Sequence, residues 1–184
     1  MLACDGKKTE VADQYFEKGD YAQAIRAYDK YLEYNPEDVR SFYNRGRAYE
    51  ELGEFDKSLT SYEEALKIEP TNFNVLMSIG KYHFRNNNNK DAAFYFDKAK
   101  KANAKSKLAF FLSGRAHHKA GETSQAMKDY NQAIDLDSNY GEAYLYRGAL
   151  KILTKKKTSG CADIQKAQTL NVPEAKAALE EYCE

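Results

Sequence analysis

The chain is expected to fold as an all-α, right-handed solenoid of five helix-turn-helix repeats plus a C-terminal capping helix. Three observations in its 184 residues predict this. The sequence matches itself at an offset of 34 residues, a period that signals stacked supersecondary units. Small residues and rings recur in fixed columns of that period. Gly, Asn and Pro punctuate it, which separates two helices within a unit and one unit from the next. Composition agrees, since 15 Tyr and 9 Phe supply core rings while only 3 Pro interrupt helices. The 28 Lys+Arg balance 28 Asp+Glu, so no global field recruits nucleic acid or an acidic membrane, and any charge-driven function is local. No run of about 18 apolar residues exists, so no segment reads as a bilayer span.

The five units fall at 5–38, 39–72, 73–106, 107–140 and 141–174. Ala12, Gly46, Gly80, Gly114 and Gly148 form the first small column, where neighbouring helices can approach closely; Ala24, Ser58, Ala92, Ala126 and Gly160 form the second. The ring column Tyr28, Tyr62, Phe96 and Tyr130, with Ile164 in the fifth place, reads as core. Turns between paired helices fall at Gly19, Gly53, Asn87 and Gly121, and Asn87 fits because Asn tolerates the left-handed conformation. Unit two shows the amphipathic pattern best, with Phe42, Tyr49 and Leu52 on its first helix and Phe55, Leu59, Tyr62, Leu66 and Ile68 on its second. Unit five departs most, placing Lys151, Lys155 and Lys157 in columns held elsewhere mainly by aromatics, His or Gly; terminal repeats meet water. Beyond it, Asn171 is placed to cap a helix with Pro173 in its first turn and Glu174 as its third residue. Residues 175–184 then form the capping helix, with Ala175, Ala178, Leu179 and Tyr182 on its apolar side.

These columns resemble the tetratricopeptide repeat (TPR) family over about nine tenths of the chain: a ring near the start of the unit, a Gly at the helix crossing, a Gly before the second helix, an Ala and a ring within it, and a closing Pro as at Pro36 and Pro70. Departures are Lys8 for the opening ring, Asn87 for the turn Gly, and Ala104, Ser138 and Val172 for the closing Pro. The resemblance implies a protein-interaction scaffold whose first helices line a concave groove that takes an extended peptide or a partner helix. Carried onto this sequence, that face holds Arg47, Lys81 and Arg115, spaced 34 apart as a ladder. Tyr43, Met77 and Phe111 lie beside them, followed by Phe84 and His118, then Arg85 and Lys119. Cations among rings suit a carboxylate or acidic segment flanked by apolar side chains. The alternative is a solvated face neutralised by neighbours such as Glu50 and Glu51. The family's chaperone-tail clamp is not matched, because its places hold Thr9, Asp13, Asn44, Asn74 and Ser78. Nucleic-acid binding is not expected, since it would need a longer basic track.

Three cysteines complete the reading. If the last two helices form a hairpin turning near Val172, Cys161 and Cys183 lie at one level, as a disulfide requires; the alternative is two reduced, small apolar side chains. The opening Met-Leu-Ala-Cys resembles the end of a bacterial lipoprotein signal, which makes residues 1–4 the end of that signal and Cys4 the lipid anchor. The pattern Gly-Cys-Ala-Asp-x-x-Lys-Ala before a final Tyr-Cys resembles TPR proteins of the Bacteroidetes envelope. The location implied is the bacterial cell envelope, with the membrane engaged only through Cys4 and disulfides able to persist. The alternatives are a cytoplasmic adaptor or an accessory subunit of a cell-wall enzyme. Sequence motifs for catalysis are absent: there is no phosphate-binding Gly loop, no His-Glu-x-x-His, no Cys-x-x-Cys and no nucleophile elbow. No enzyme activity, cofactor or metal is expected, and His83 and His117 read as packing residues.

Overall fold

The structure, a computed structural model, describes residues 5–184; Cys4 lies outside them. Eleven α-helices and no strand occur among the described residues. The first helices of the pairs are α1 (Asp5–Glu17), α3 (Val39–Glu51), α5 (Phe73–Arg85), α7 (Lys107–Lys119) and α9 (Gly141–Leu153). The second helices are α2 (Tyr21–Leu32), α4 (Phe55–Ile68), α6 (Asn89–Ala102), α8 (Thr123–Leu136) and α10 (Lys157–Thr169), and α11 (Ala175–Tyr182) closes the chain. Starts within each series are 34 residues apart. None of these helices is long and apolar enough to cross a membrane.

The turns explain why the period holds. Gly19, Gly53, Asn87, Gly121 and Lys155 have φ of 77°, 75°, 60°, 80° and 63°. After each of them, the next N–H donates back five residues into the ending helix: Asp20 to Tyr15, Glu54 to Tyr49, Asn88 to His83, Glu122 to His117 and Lys156 to Lys151. That bond satisfies a helix-end carbonyl, and a left-handed residue is its geometric condition. Lys155 therefore does in unit five what Gly does elsewhere. A Lys155→Gly substitution is expected to raise the unfolding free energy by about 0.5–1 kcal/mol, because relief of the left-handed backbone exceeds the added freedom of the unfolded chain. Urea unfolding checks the sign.

Asn171 corrects one expectation. Its φ is 60° and the Val172 N–H donates to the Ala167 carbonyl, so Asn171 terminates α10 instead of capping the next helix. Pro173 and Glu174 lie in the turn, and α11 begins only at Ala175. The demand for a left-handed residue at the end of α10 takes precedence over the capping role.

Two compact units divide within α5, the first running to Tyr82 and the second starting at His83. In the first, Ala12, Ala24, Ile25, Tyr28 and Ala48 form a core, bordered by Tyr15, Phe16, Tyr21, Ala27 and Tyr49. Gly46 is required there: a Cβ would stand 2.5 Å from the Tyr62 ring, which is fully buried. Leu52 and Ile68, placed on apolar stripes by the sequence, are 43% and 38% exposed because they sit at the helix ends, where the packing runs out.

The second unit has a core of Phe111, Ala126, Tyr130, Ala133, Ile134, Ala143 and Leu150. Gly148 lets α9 and α10 touch, since a Cβ would meet the Ile164 side chain at 2.7 Å and the Gly160 carbonyl at 2.8 Å. Ile164, Ala167, Val172 and Ala175 continue the core beneath α11. Cys161 on α10 is bonded to Cys183 just past α11, with Cα atoms 5.7 Å apart.

Candidate functional site

The residues of the expected groove divide between the two units. In the first, Arg47 is exposed and its guanidinium stands 4.7 Å from the centre of the Phe16 ring. Tyr43 packs tilted on Tyr62 at 5.7 Å, and Lys81 is exposed. Met77 is only 5% exposed, so it is a packing residue and not a groove contact.

The second unit brings more of the set together. Arg115 on α7 lies 5.0 Å from the Phe84 ring, 5.7 Å from Phe111 and 4.8 Å from Tyr146. Lys119, one turn on, has its ammonium 4.8 Å from Phe84. Phe111 is only 6% exposed, enclosed by Tyr130, Tyr140 and Tyr146. The expectation of Phe111 as a groove residue is thereby corrected: the ring is buried and lies beneath Arg115 as support. Among the described residues no carboxylate pairs with Arg115, whose charge is held on ring faces worth about 0.5–2 kcal/mol each. His118 is half-buried against the Tyr130 hydroxyl, 3.4 Å from its Nδ1, and burial holds its pKa below the usual imidazole value. Arg85 is exposed at the end of α5.

Sequence reasoning missed a recurring polar node between pairs. Arg45 on α3 pairs with Asp29 of the preceding second helix at 2.7 Å and donates to Ser61 of its own partner at 3.1 Å. Two units on, Ser113 lies 2.9 Å from both Asp97 and Asp129. In the fifth, Arg147 donates to Asn131 at 2.8 Å and grips Asp163 with two bonds of 2.7 and 2.8 Å. Arg45, Ser113 and Arg147 share one column of the 34-residue period, and polar residues recurring at a packed position were the available signal.

The node at Ser113 is the most heavily charged. Lys100 reaches Asp97 and Asp129 at 2.7 Å each, while His117 stands 2.5 Å from Glu122 and 3.3 Å from Asp97. Ligand atoms of Asp97, His117 and Asp129 lie within 4.8 Å of one another, a spacing that would suit a metal. The Lys100 ammonium already supplies the cation these carboxylates require, so the geometry reads as a structural ion-pair cluster. His117 is thus a network residue, not the simple packing residue its column suggested. His83 stacks on Tyr95 at 5.3 Å, in keeping with a packing role.

Comparison with known proteins agrees with this architecture. A family model described as Tetratricopeptide repeat matches residues 11–73 and another, described as TPR repeat, matches residues 114–151, together more than half of the chain. Anaphase-promoting complex subunit 3 of Schizosaccharomyces pombe is 19% identical over 85% of this chain and 24% of its own length. The chain spans about a quarter or less of each curated relative it matches. Among solved structures, YrrB, described as a TPR protein with an unusual peptide-binding site, superposes with a TM-score of 0.85 at 18% identity, covering 94% of this chain and 90% of that one. A MamA fragment from Desulfovibrio magneticus RS-1 superposes with a TM-score of 0.84 at 17% identity, covering 93% and 97% of the two chains.

Proposed function

We propose that this chain, which belongs to the tetratricopeptide repeat family, is a non-catalytic scaffold whose first helices take up an extended peptide or a partner helix bearing acidic residues. The observation that carries the reading is the state of its cations: Arg47, Arg115 and Lys119 lean on rings, which orients their donors, and none of the three enters an ion pair among the described residues. Desolvated, charge-assisted bonds to a carboxylate are worth about 1.5–3 kcal/mol each, against about 0–1 for screened surface pairs. Lys81→Glu and Lys119→Glu alter exposed side chains and are expected to leave the melting temperature nearly unchanged. Each should weaken capture of the native partner in cross-linked pull-downs by about tenfold or more, and added salt should weaken the wild-type complex. Normal capture by both variants would move the site to the second helices.

The same reading places the protein in a bacterial envelope, acylated on Cys4. Its support is the lipoprotein-like opening and a disulfide of the kind that persists in oxidising compartments. Unchanged membrane fractionation of Cys4→Ser would favour a cytoplasmic adaptor instead.

A further inference from the structure

The second unit contains an apolar pocket that shares only His118 with the expected groove. It has a volume of about 270 Å³ and is lined by His118 of α7, by Ala149, Ile152 and Leu153 of α9, and by Tyr182 of α11. Leu153 is 66% exposed and Tyr182 47%, so the pocket opens to solvent between two large apolar side chains. The pocket adjoins the cationic face: Arg115 and His118 are three residues apart on α7, so their Cβ atoms lie about 5–6 Å from each other on one side of the helix. Ala149 occupies in unit five the column that Arg115 occupies in unit four. A small side chain therefore opens the floor where the preceding repeat places a guanidinium. The far wall is supplied by Tyr182, the neighbour of Cys183, and the bond to Cys161 holds that end of α11 against α10.

We infer that Arg115 and this pocket form a two-point site for an extended segment carrying a carboxylate and, two residues away, a side chain of Leu or Phe size. Alternate residues of an extended chain face the same way about 7 Å apart, and this is the spacing assigned to the two points. Charge complementarity selects the acidic member: the Arg115 guanidinium is half-buried among Phe84, Phe111 and Tyr146, no carboxylate among the described residues pairs with it, and a ligand carboxylate supplies the counter-charge. The apolar member displaces water from Leu153, Ile152 and Tyr182. The inference rests on the scaffold reading for its choice of face and adds to it the chemistry of the segment.

The test uses the full oxidised chain and three blocked peptides, Gly-Asp-Gly-Leu-Gly-Ser and its versions with Asn for Asp or Ser for Leu, titrated to millimolar concentration and followed by amide and Arg side-chain NMR. The parent peptide should shift Ala149, Ile152, Leu153 and the Arg115 Nε signal saturably. Either peptide replacement should weaken binding about tenfold or more. Ala149→Phe, at an exposed position, should fill the pocket and abolish the apolar contribution with an unchanged melting curve. Arg115→Gln should remove the preference for Asp over Asn. Reduction of the disulfide should weaken the Leu peptide more than the Ser peptide. Absence of saturable shifts, or shifts centred elsewhere, overturns the proposal. So do pocket shifts that depend on protein concentration without peptide, since they would assign the pocket to a second copy. Failure here with Lys81→Glu still defective in partner capture would remove this pocket and leave the scaffold reading standing.

Discussion

Replacing Lys100 with Met is expected to lower the unfolding free energy by about 3–5 kcal/mol, the usual effect of stranding one side of a buried ion pair. The Lys100 side chain is 10% exposed and that of Asp129 only 4%, so little water reaches Asp129 to replace the lost ammonium, whereas Asp97, 39% exposed, is rehydrated more readily. Asp97, Asp129 and Glu122 would then face His117, Ser113 and Gln125 alone. Adding Asp129→Asn should recover part of the loss, because it removes the uncompensated charge; a double-mutant cycle in urea measures the coupling. A cost below about 1 kcal/mol for Lys100→Met would show that the cluster is solvated and screened.

The same cluster sets the pH dependence. Burial pushes the Asp97 carboxyl up, but hydrogen bonds from His117 and Lys100 outweigh it and hold the group well below the ordinary carboxylate range. Its contribution is present above that ordinary range and is lost as pH falls through the depressed value. For His117, burial opposes the imidazolium, yet Asp97 and Glu122 hold the pKa above the usual imidazole value. That contribution is complete below the ordinary value and disappears as pH rises through the raised one. His118, lowered by burial, costs stability as pH falls below the ordinary imidazole value. Unfolding followed across pH should show an alkaline decline that His117→Gln removes.

Removing the Cys161–Cys183 bond, by Ala at both positions, is expected to cost about 3 kcal/mol for a sequence separation of 22 in the chain-entropy description. The loss should be local first. α11 has eight residues and is too short to persist unaided, so it depends on the bond and on packing over Ile164, Ala167 and Val172. Hydrogen exchange should therefore accelerate in α11 and at the end of α10, while α7 and α8 keep their protection. Equal exchange in the oxidised and Ala-substituted proteins would show that packing alone secures the cap.

Much of the architecture was legible because it is local and repeated. A helix pair that cannot bury its own apolar face must stack, and the requirement rewrites the same small, ring and turn residues every 34 positions. Ala12, Gly46, Gly80, Gly114 and Gly148 announced close approach, and Gly46, Gly114 and Gly148 are confirmed by what a Cβ would strike. Gly19, Gly53, Asn87 and Gly121 announced left-handed turns, which their φ values show. The candidate site was legible only as columns. Periodicity says that Arg115 and Phe111 lie on neighbouring rows, but not that Tyr140 and Tyr146 close over Phe111 and bury it, since that depends on side chains from the next pair. Nor does it say that Lys100 settles between Asp97 and Asp129, because long side chains choose partners by burial and charge once three helices have met. The pocket beside His118 depends likewise on where α11 docks. The sequence by itself determined the repeated helices, their pairing and the turns at Gly19, Gly53, Asn87 and Gly121, all set by contacts within about one repeat; the left-handed backbone at Lys155 and Asn171, and the choice of which cations enter ion pairs, emerged only with the packing of the helices.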